Sequence, residues 1–199
     1  MATLLQIKSS VFGDDGQSSQ LSERYISQWK QAYPKGAVVV RDLVAEEVPH
    51  LDGSRVSAFF TSEEQRTADQ QALVAFSDSL IQEIKDADEI VLALPLYNFG
   101  VPSQMKAYFD QLARAGVTFA YTENGPVGLL DDKPVRILAT RGGLYKDTGM
   151  DNQLPFVRQF LGFIGLQSVE VVYAEGLGME TKEQSLATAR GEIDKLLSA

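Results

Sequence analysis

The segment Ile90-Val91-Leu92-Ala93-Leu94 is an uninterrupted run of apolar residues. A strand with one face in water alternates apolar and polar residues, whereas a strand buried on both faces is apolar throughout. This segment is apolar on both faces, which is typical of a parallel sheet that helices cover on each side. It therefore predicts an α/β fold.

Four further short runs have the composition of β-strands, and helical patterns separate them. The five predicted strands are Thr3–Lys8, Ala37–Asp42, Glu89–Leu94, Val135–Thr140 and Gln167–Ala174. Strand and helix thus alternate five times, which predicts a doubly wound parallel sheet. Two strand orders fit, the flavodoxin-like order and a truncated dinucleotide-binding order. In both, the ligand binds beyond the carboxyl ends of the strands, so we expect the loops there to carry the chemistry.

Apolar residues at helical spacing predict the helices between the strands. The stripes are Leu21, Tyr25, Ile26, Trp29 and Tyr33 in the first helix; Leu73, Phe76, Leu80 and Ile84 in the second; Met105, Tyr108, Phe109 and Leu112 in the third; and Leu186, Ile193, Leu196 and Leu197 in the last. The fourth helix is predicted from about Asn152 to Ile164, and the last is expected to reach the C-terminus.

The predicted helix ends follow from capping residues. Two overlapping capping-box patterns, Thr61 with Glu64 and Ser62 with Gln65, leave the start of the second helix open. In the third helix, Pro102 is expected in the first turn and Gly116 at the end.

The composition excludes several classes of protein. The chain has no cysteine, which removes disulfides, thiolate nucleophiles and cysteine-bound zinc, and favours a cytoplasmic location. It has a single histidine, His50, so metal sites and proton relays that need two histidines are excluded, and no metal site is predicted. The formal net charge of −9 argues against nucleic acid as a partner. No membrane span or linker is recognisable, so residues 1–199 are predicted to form a single domain.

The loop after the first predicted strand is rich in serine and glycine and immediately precedes a helix. Its residues include Ser9, Ser10, Gly13, Gly16, Gln17, Ser18 and Ser19. Hydroxyl and backbone N–H groups at a helix N-terminus can bind a phosphate without a lysine, because the helix dipole favours an anion. An ordinary serine-capped helix explains the same residues equally well. Asp14 and Asp15 would repel an anion unless they point to solvent.

The loops after the third and fourth strands have features of a site for a flat polar ring. Residues 95–102 read Pro-Leu-Tyr-Asn-Phe-Gly-Val-Pro, which combines two aromatic side chains with two stiffening prolines. Residues 140–145 read Thr-Arg-Gly-Gly-Leu-Tyr, and the glycine pair lets the backbone approach a ligand closely. Each loop alone is also explained as a tight turn. Because all three loops are expected at one edge of the sheet, together they favour a ligand site.

These loops and several later segments form a recognisable set. The segments are Lys8-Ser9-Ser10, Gln17-Ser18, Pro95-Leu96-Tyr97-Asn98-Phe99, Ala113-Arg114-Ala115-Gly116-Val117-Thr118-Phe119, Tyr121-Thr122-Glu123-Asn124-Gly125-Pro126, Arg141-Gly142-Gly143 and Phe160-Leu161-Gly162-Phe163-Ile164-Gly165. Together they resemble the bacterial FMN-dependent NADH-azoreductases, also described as NADH:quinone oxidoreductases. The resemblance covers essentially the whole chain. It implies a flavodoxin-like three-layer sandwich and a homodimer that binds one FMN per subunit, with active sites at the dimer interface.

The resemblance also implies which residues form the binding sites. The predicted FMN-binding residues are Ser10, Gly16, Gln17 and Ser18 for the phosphate, and Leu96, Tyr97, Asn98, Phe99, Thr140, Arg141, Gly142 and Gly143 for the isoalloxazine ring. Tyr121, Tyr145 and Phe163 are the predicted substrate-binding residues, and the first and last are expected to act across the interface. Gly16 and Thr140 stand where relatives often have serine, and Tyr145 stands where some have histidine.

The implied function is two-step hydride transfer, in which NADH reduces FMN and a quinone or azo compound then takes the electrons. No side chain is predicted to act as a catalytic acid or base, because the flavin carries the chemistry. The alternative is a flavodoxin-type electron carrier, which shares fold, cofactor and acidic charge but acts on proteins. Residues 117–132 favour the enzyme, since they add aromatic and Gly/Pro-rich material that can cover a flavin. A flavin-binding regulator without turnover is a third interpretation.

Overall fold

The computed structural model of the chain describes residues 1–197. Its strands and helices are β1 (Thr3–Lys8), α1 (Gln17–Ala32), β2 (Ala37–Asp42), α2 (Gly53–Phe60), α3 (Ala68–Asp86), β3 (Glu89–Pro95), α4 (Ser103–Leu112), β4 (Phe119–Thr122), β5 (Gly125–Gly128), β6 (Val135–Thr140), α5 (Gln153–Ile164), β7 (Val169–Ala174) and α6 (Lys182–Leu196). All five predicted strands are present, three of them with the predicted bounds. The last helix ends at Leu196, and Ser198 and Ala199, which the prediction included, lie outside the described residues. No helix within residues 1–197 has the length and apolar character needed to cross a membrane.

The five strands of the main sheet are parallel and lie in the order β2-β1-β3-β6-β7. This is the flavodoxin-like order, so it decides between the two orders that fit the sequence. β6 ends level with β3, because Thr140 pairs with Pro95, and β1 ends slightly earlier, because Lys8 pairs with Ala93. The loops after β1, β3 and β6 therefore leave the same edge of the sheet side by side.

Side chains of the sheet alternate between two faces and pack against different helices. On one face, Leu4 and Val91 belong to an apolar cluster with α1 and α6. On the other, Leu5 and Leu92 belong to a cluster with α3, α4 and α5. This is the predicted three-layer sandwich, and it explains why β3 is apolar on both faces. Tyr33 is outside the buried stripe of α1, since it follows the helix and is exposed.

A buried carboxylate lies at the amino end of β3. Glu89 accepts hydrogen bonds from the Tyr25 hydroxyl and from Trp29 Nε1 (3.1 Å), and it pairs with Arg136 Nε (3.1 Å). Burial, reinforced by this carboxylate, raises the pKa of Tyr25 above its ordinary value, so the phenol remains a neutral donor. Because its charge is paired and hydrogen-bonded, Glu89 is tolerated there and ties α1 to β3 and β6.

The start of α3 differs from the prediction. Thr67, not Thr61 or Ser62, is the N-cap: its Oγ1 accepts from Gln70 N (3.2 Å), and Gln70 Oε1 accepts from Thr67 N (3.1 Å). This reciprocal pair is a capping box. The predicted patterns were wrong because Ser62 precedes a 3-10 turn at Glu63–Gln65 instead of an α-helix.

The third predicted helix is shorter than expected. Pro102 is the N-cap of α4 and lies outside the first turn, and the helix ends at Leu112 rather than at Gly116. Thr118 causes this early end, because its Oγ1 donates to Leu112 O (2.6 Å) and accepts from Arg114 N (3.0 Å). Gly116 has a φ of 76° and lies in the turn that follows.

Two elements, α2 and the β4–β5 hairpin, are absent from the sequence prediction. α2 has eight residues, and Asp52 caps it by accepting from Arg55 N (2.8 Å). The hairpin lies against the end of α5, where a Cβ on Gly128 would be 2.1 Å from Gly165 N. Both elements are too short for apolar periodicity to distinguish them from loops.

We expect Thr67→Ala to lower the free energy of unfolding by about 1 kcal/mol, because it removes the acceptor for the Gln70 N–H. Ser62→Ala should change it by less than about 0.5 kcal/mol, since Ser62 makes no side-chain cap hydrogen bond. Urea unfolding of the two variants measures both values. Equal losses would contradict the assignment of the cap to Thr67.

Candidate cofactor-binding site

Three loops meet at the carboxyl edge of the sheet, and hydrogen bonds join them. They are the first loop (residues 9–16), the second loop (residues 96–102) and the third loop (residues 141–152). The Tyr97 hydroxyl accepts from Val11 N (3.2 Å) and lies 3.4 Å from Ser10 Oγ, which joins the second loop to the first. Leu96 N donates to Thr140 O (3.0 Å), which joins the second loop to the start of the third. The structure thus brings together all the residues predicted to bind the cofactor.

Close packing leaves the N-terminus of α1 without a side-chain cap. Its N-cap is Gly16, and a Cβ there would lie 2.0 Å from Ser10 Oγ. Ser10 Oγ itself accepts from Phe12 N (3.2 Å), which fixes the hydroxyl beside the helix. A helix N-terminus without a side-chain cap presents N–H groups and the positive end of the dipole to a ligand.

Two serines in the first turn of α1 have buried hydroxyls without partners. Ser18 is 1% exposed and Ser19 is 0% exposed, and neither Oγ forms a hydrogen bond within the described residues. By contrast, the buried hydroxyl of Ser22, one turn later, donates to Ser19 O (2.7 Å). Buried hydroxyls are normally satisfied, so these two groups fit a site that a phosphate completes.

Lys8 pairs with Asp14, one of the two acidic residues of the first loop. Its Nζ lies 2.5 Å from Asp14 and 3.2 Å from Asp42, and the lysine is only 8% exposed. Burial acts to lower the pKa of Lys8, but the hydrogen bonds to both carboxylates outweigh it and raise the pKa. The Asp14 carboxylate therefore carries a paired charge, which reduces its repulsion of an anion.

The second loop contains a turn with an unusual backbone. Asn98 and Phe99 both have positive φ values, 49° and 65°. Tyr97 and Gly100 flank them and exchange two backbone hydrogen bonds, of 3.2 and 3.0 Å. Non-glycine residues with positive φ are uncommon, and strained backbone of this kind concentrates at binding sites.

In the third loop, the Arg141 side chain is buried and bonds to other residues of the protein. Arg141 is 1% exposed, its Nη2 lies 3.3 Å from Asp151, and its Nη1 donates to Thr140 O (3.2 Å). The Arg141 N–H is also used, since it donates to Ala174 O (2.9 Å). The guanidinium therefore holds the loop through two of its nitrogens, while its Nε is buried and has no partner among the described residues.

Several backbone donors at this edge have no protein acceptor. The N–H groups of Asn98, Gly142 and Gly143 donate to no acceptor among residues 1–197. The carbonyls of the two glycines, by contrast, accept from Gly178 N and Gly176 N (both 2.9 Å), so the backbone of this loop is held from one side only. A Cβ on Gly142 would meet nothing within 4 Å. These unpaired donors can bind the polar edge of a ring that carries negative charge.

A cavity of about 760 Å³ opens beside the turn. Val11, Phe99 and Phe156 are among its lining residues, and Phe99 is 54% exposed. The Tyr145 ring contacts the Phe99 ring edge-on, with 5.8 Å between centroids. Of the three predicted substrate-binding residues, Tyr145 is therefore the one next to this cavity.

Tyr121 and Phe163 lie in a different aromatic cluster, centred on Phe119. The Phe119 ring is 4.2 Å from that of Phe163 and 5.5 Å from that of Tyr121, and Tyr121 is 77% exposed. Neither residue lines the cavity beside Phe99. Phe163 instead lines a neighbouring cavity of about 580 Å³, which shares Phe156 with the first. Within one subunit the predicted substrate residues thus form two groups.

The side chains that hold these loops are not among the residues predicted from the sequence. Gln153 Nε2 donates to carbonyls of the second loop region, and Glu175 Oε1 accepts from the N–H groups of Tyr145 and Lys146 (both 2.7 Å). One signal was available, because Glu175 follows β7 directly and so lies at the same sheet edge. Gln153 carries no comparable signal, since a glutamine at a helix start is usually exposed.

The chain is similar to known proteins over almost its whole length. The family model described as a flavodoxin-like fold matches residues 2–197. An FMN-dependent NADH:quinone oxidoreductase from Cellvibrio japonicus is 59% identical over 199 residues, which is 100% of both chains. A crystal structure of an azoreductase from Bacillus anthracis strain Sterne has a TM-score of 0.91 at 30% identity, and 98% of each chain is covered. An FMN-dependent NADH-azoreductase from B. anthracis strain Ames Ancestor, solved in complex with FMN, has a TM-score of 0.89 at 25% identity and covers 100% of this chain and 98% of its own.

We expect Gly16→Ala to disrupt the predicted phosphate site. The new Cβ would lie 2.0 Å from Ser10 Oγ and 2.6 Å from Ser10 Cβ, so a rotation of the hydroxyl does not relieve the clash. FMN should bind at least about tenfold more weakly, the equivalent of one lost hydrogen bond to a charged group. Riboflavin, which lacks the phosphate, should bind with nearly unchanged affinity.

Fluorescence titration of the apoprotein with each flavin measures the two affinities. Gly53→Ala is the matched control, because Gly53 opens α2 and a Cβ there meets nothing within 4 Å. An equal loss of FMN and riboflavin binding in Gly16→Ala would contradict a phosphate site at this loop.

Proposed function

This chain belongs to the flavodoxin-like family that matches it over residues 2–197, and from this premise we propose that it is an FMN-dependent NADH:quinone oxidoreductase that also reductively cleaves azo compounds. The observation that carries the proposal is the set of unpaired donors at the carboxyl edge of the sheet. Buried hydroxyls and an uncapped helix lie on one side, and free N–H groups on the other. A ligand with a phosphate at one end and a flat polar ring at the other satisfies both.

The first loop and α1 hold the phosphate in this proposal. Ser10 and Ser18 supply hydroxyls, and Gly16-Gln17 supplies the backbone at the uncapped helix start. The helix dipole favours the negative charge. Pairing of Asp14 with Lys8 keeps that carboxylate from opposing it.

The second and third loops hold the isoalloxazine ring. Leu96, Tyr97 and Phe99 supply apolar contact, and Thr140 supplies a hydroxyl. The N–H groups of Asn98, Gly142 and Gly143 face the polar edge and stabilise negative charge on the reduced ring. Arg141 contributes through the loop that it holds, because its guanidinium bonds to Asp151 and to Thr140 O.

Bound FMN supplies the redox chemistry, by accepting a hydride from NADH and giving up electrons to the second substrate. Overall, NADH, a proton and a quinone give NAD⁺ and a hydroquinone. The protein's own part is to bind and orient the two substrates against one face of the ring and to exclude water, for which it uses the aromatic residues Phe99 and Tyr145. Reduction of quinones is the proposed physiological activity, and azo compounds are incidental acceptors.

We expect protein incubated with FMN and desalted to retain visible flavin absorbance, to lose it on anaerobic addition of NADH and to regain it on addition of a quinone. An electron carrier would keep its absorbance in NADH, since it requires a separate reductase. Gly142→Val tests whether the retained flavin is bound at the third loop. The valine side chain enters open space, so the variant should fold but retain less flavin. Flavin that NADH does not bleach would overturn the enzyme proposal in favour of a carrier.

We also propose that two copies of the chain form a homodimer whose active sites include residues from both subunits. Tyr121 is 77% exposed on the hairpin, and the cavity beside it is lined by Pro126, Phe156, Gln159, Phe160 and Phe163. Such an aromatic surface is typical of an interface between subunits. This cavity shares Phe156 with the cavity beside Phe99, so we propose that Tyr121 and Phe163 of a second subunit complete the cavity beside Phe99.

Mixed dimers test this shared site. Gly16→Ala subunits bind FMN more weakly and should be largely empty at an FMN concentration just sufficient for the unchanged loop, and Tyr121→Ala subunits should bind FMN but lack the substrate contact. If the site is shared, a mixed dimer regains quinone reduction, because one of its sites combines an intact FMN loop with an intact Tyr121 from the other subunit.

Co-expression with two different tags isolates the mixed dimer, and the two parent dimers are the controls. Activity of the mixed dimer no greater than that of its parents would contradict a site built across the interface. A fully active monomer would contradict it as well.

The domain organisation, location and partners of the protein are also proposed. We propose that residues 1–199 act as a single FMN-binding domain. We also propose that the protein is in the cytoplasm, because the chain has no cysteine. The proposed partners are NADH, small quinones and azo compounds and a second copy of the chain. The net charge of −9 supports the exclusion of nucleic acid and of anionic membrane surfaces.

A further inference from the structure

The turn Tyr97–Gly100 has a backbone that its own sequence does not favour. Two-residue turns with positive φ at both central positions prefer glycine at the second, because a side chain there meets steric resistance. Here that position is Phe99, with a φ of 65°. Something outside the turn must therefore hold it, and that support does not involve the Asn98 N–H, which donates to no acceptor among residues 1–197.

Gln153 is positioned to supply this support. It is the first residue of α5 and is 1% exposed, and its Nε2 donates to Pro95 O (2.8 Å) and to Gly100 O (2.9 Å). The orientation of its amide is fixed, because only the NH₂ group can face two carbonyl oxygens. One side chain thus joins the end of β3 to the last residue of the turn.

The two hydrogen bonds donated by Gln153 Nε2 are formed although they leave the other amide atom unsatisfied within residues 1–197. With Nε2 committed to the two carbonyls, Gln153 Oε1 is left buried and without a partner among the described residues. An unsatisfied buried amide oxygen is unfavourable, so the donated bonds must outweigh it. The position of Gln153 is itself fixed, since Asp151 Oδ1 accepts from Gln153 N (3.1 Å) while the other oxygen of Asp151 lies 3.3 Å from Arg141.

We propose that Gln153 is a positioning residue that holds the Tyr97–Gly100 turn in its ligand-binding conformation before the flavin arrives. Its effect on flavin binding rests on the proposed function, whereas its effect on the turn does not. A turn that is already formed loses less conformational freedom on binding, so FMN binds more tightly. Gln153 also lines the cavity beside Phe99, but its Nε2 is bonded to both carbonyls, so in this proposal it affects FMN binding through the turn.

Gln111 provides a matched control with the same chemistry elsewhere. It is 0% exposed, its Nε2 donates to Pro49 O (2.9 Å), and its Oε1 has no partner among the described residues. Gln111→Met and Gln153→Met therefore each remove a buried amide that bonds to backbone. A merely structural role for Gln153 predicts the same outcome for both variants.

The first measurement is hydrogen exchange in the apoprotein, which needs no flavin. In Gln153→Met we expect the amides of Tyr97 and Gly100, which bond each other across the turn, to exchange at least about tenfold faster, because roughly one net hydrogen bond of support is lost. In Gln111→Met these two amides should exchange as in the unchanged protein. Gln153→Asn, one methylene shorter, reaches at most one carbonyl and should be intermediate, which keeps the test open if the methionine variant folds poorly.

The second measurement is the FMN dissociation constant by fluorescence titration. Gln153→Met should raise it about tenfold and Gln111→Met should leave it unchanged, even if both lower the thermal unfolding midpoint equally. Unchanged exchange at the turn, or equal FMN losses in the two variants, would overturn the inference. Failure of the proposed function is a separate result: the unchanged protein would then bind no FMN, while hydrogen exchange would still report whether Gln153 holds the turn.

Discussion

β3 is buried along its whole length between β1 and β6, and the rest of the structure depends on this placement. Such a strand cannot carry polar side chains in its middle, so its polar contacts collect at its two ends. At the amino end, Glu89 is paired with Arg136 and hydrogen-bonded to α1, which fixes the helix layer to the sheet. At the carboxyl end, the Pro95 carbonyl is bonded by Gln153, and the following backbone is free to turn toward a ligand.

The strands were predictable because each is a short, mostly apolar run of residues that favour β-structure, including the edge strand β2, which has no fully buried residue. β1, β2 and β6 begin and end where the sequence predicts. Helix starts were less predictable, because Thr61, Ser62 and Thr67 each have a Glu or Gln three residues later, and local sequence does not choose among them. Packing chooses, and the structure caps α3 at Thr67. The short α2 and the β4–β5 hairpin, which lies against α5, escaped detection because they are too short for apolar periodicity to distinguish them from loops.

The sequence predicts which loops form the site, but it does not predict where the side chains of those loops point. Neighbouring parallel strands end at one edge, so the meeting of the loops follows from the strand order alone. Sequence does not say that Arg141 points inward to Asp151, or that Lys8 pairs with Asp14. Both facts change the electrostatics of the site, since each pairs a charge at the sheet edge with a charge of opposite sign. The FMN roles of individual residues remain predictions from resemblance.

A loop that binds a ring through backbone N–H groups has to keep those groups unpaired when the ring is absent. It cannot be stabilised by its own hydrogen bonds at the same positions, so its support must come from atoms that face away from the ligand. In this chain those atoms are the carbonyls of Gly142 and Gly143, bonded by residues after β7, and the carbonyl of Gly100, bonded by Gln153. The donors left over, on Asn98, Gly142 and Gly143, are the ones that a ligand can use. These three N–H groups are thus left for a ligand, while carbonyl groups of the same loops bond to the rest of the protein and support the backbone.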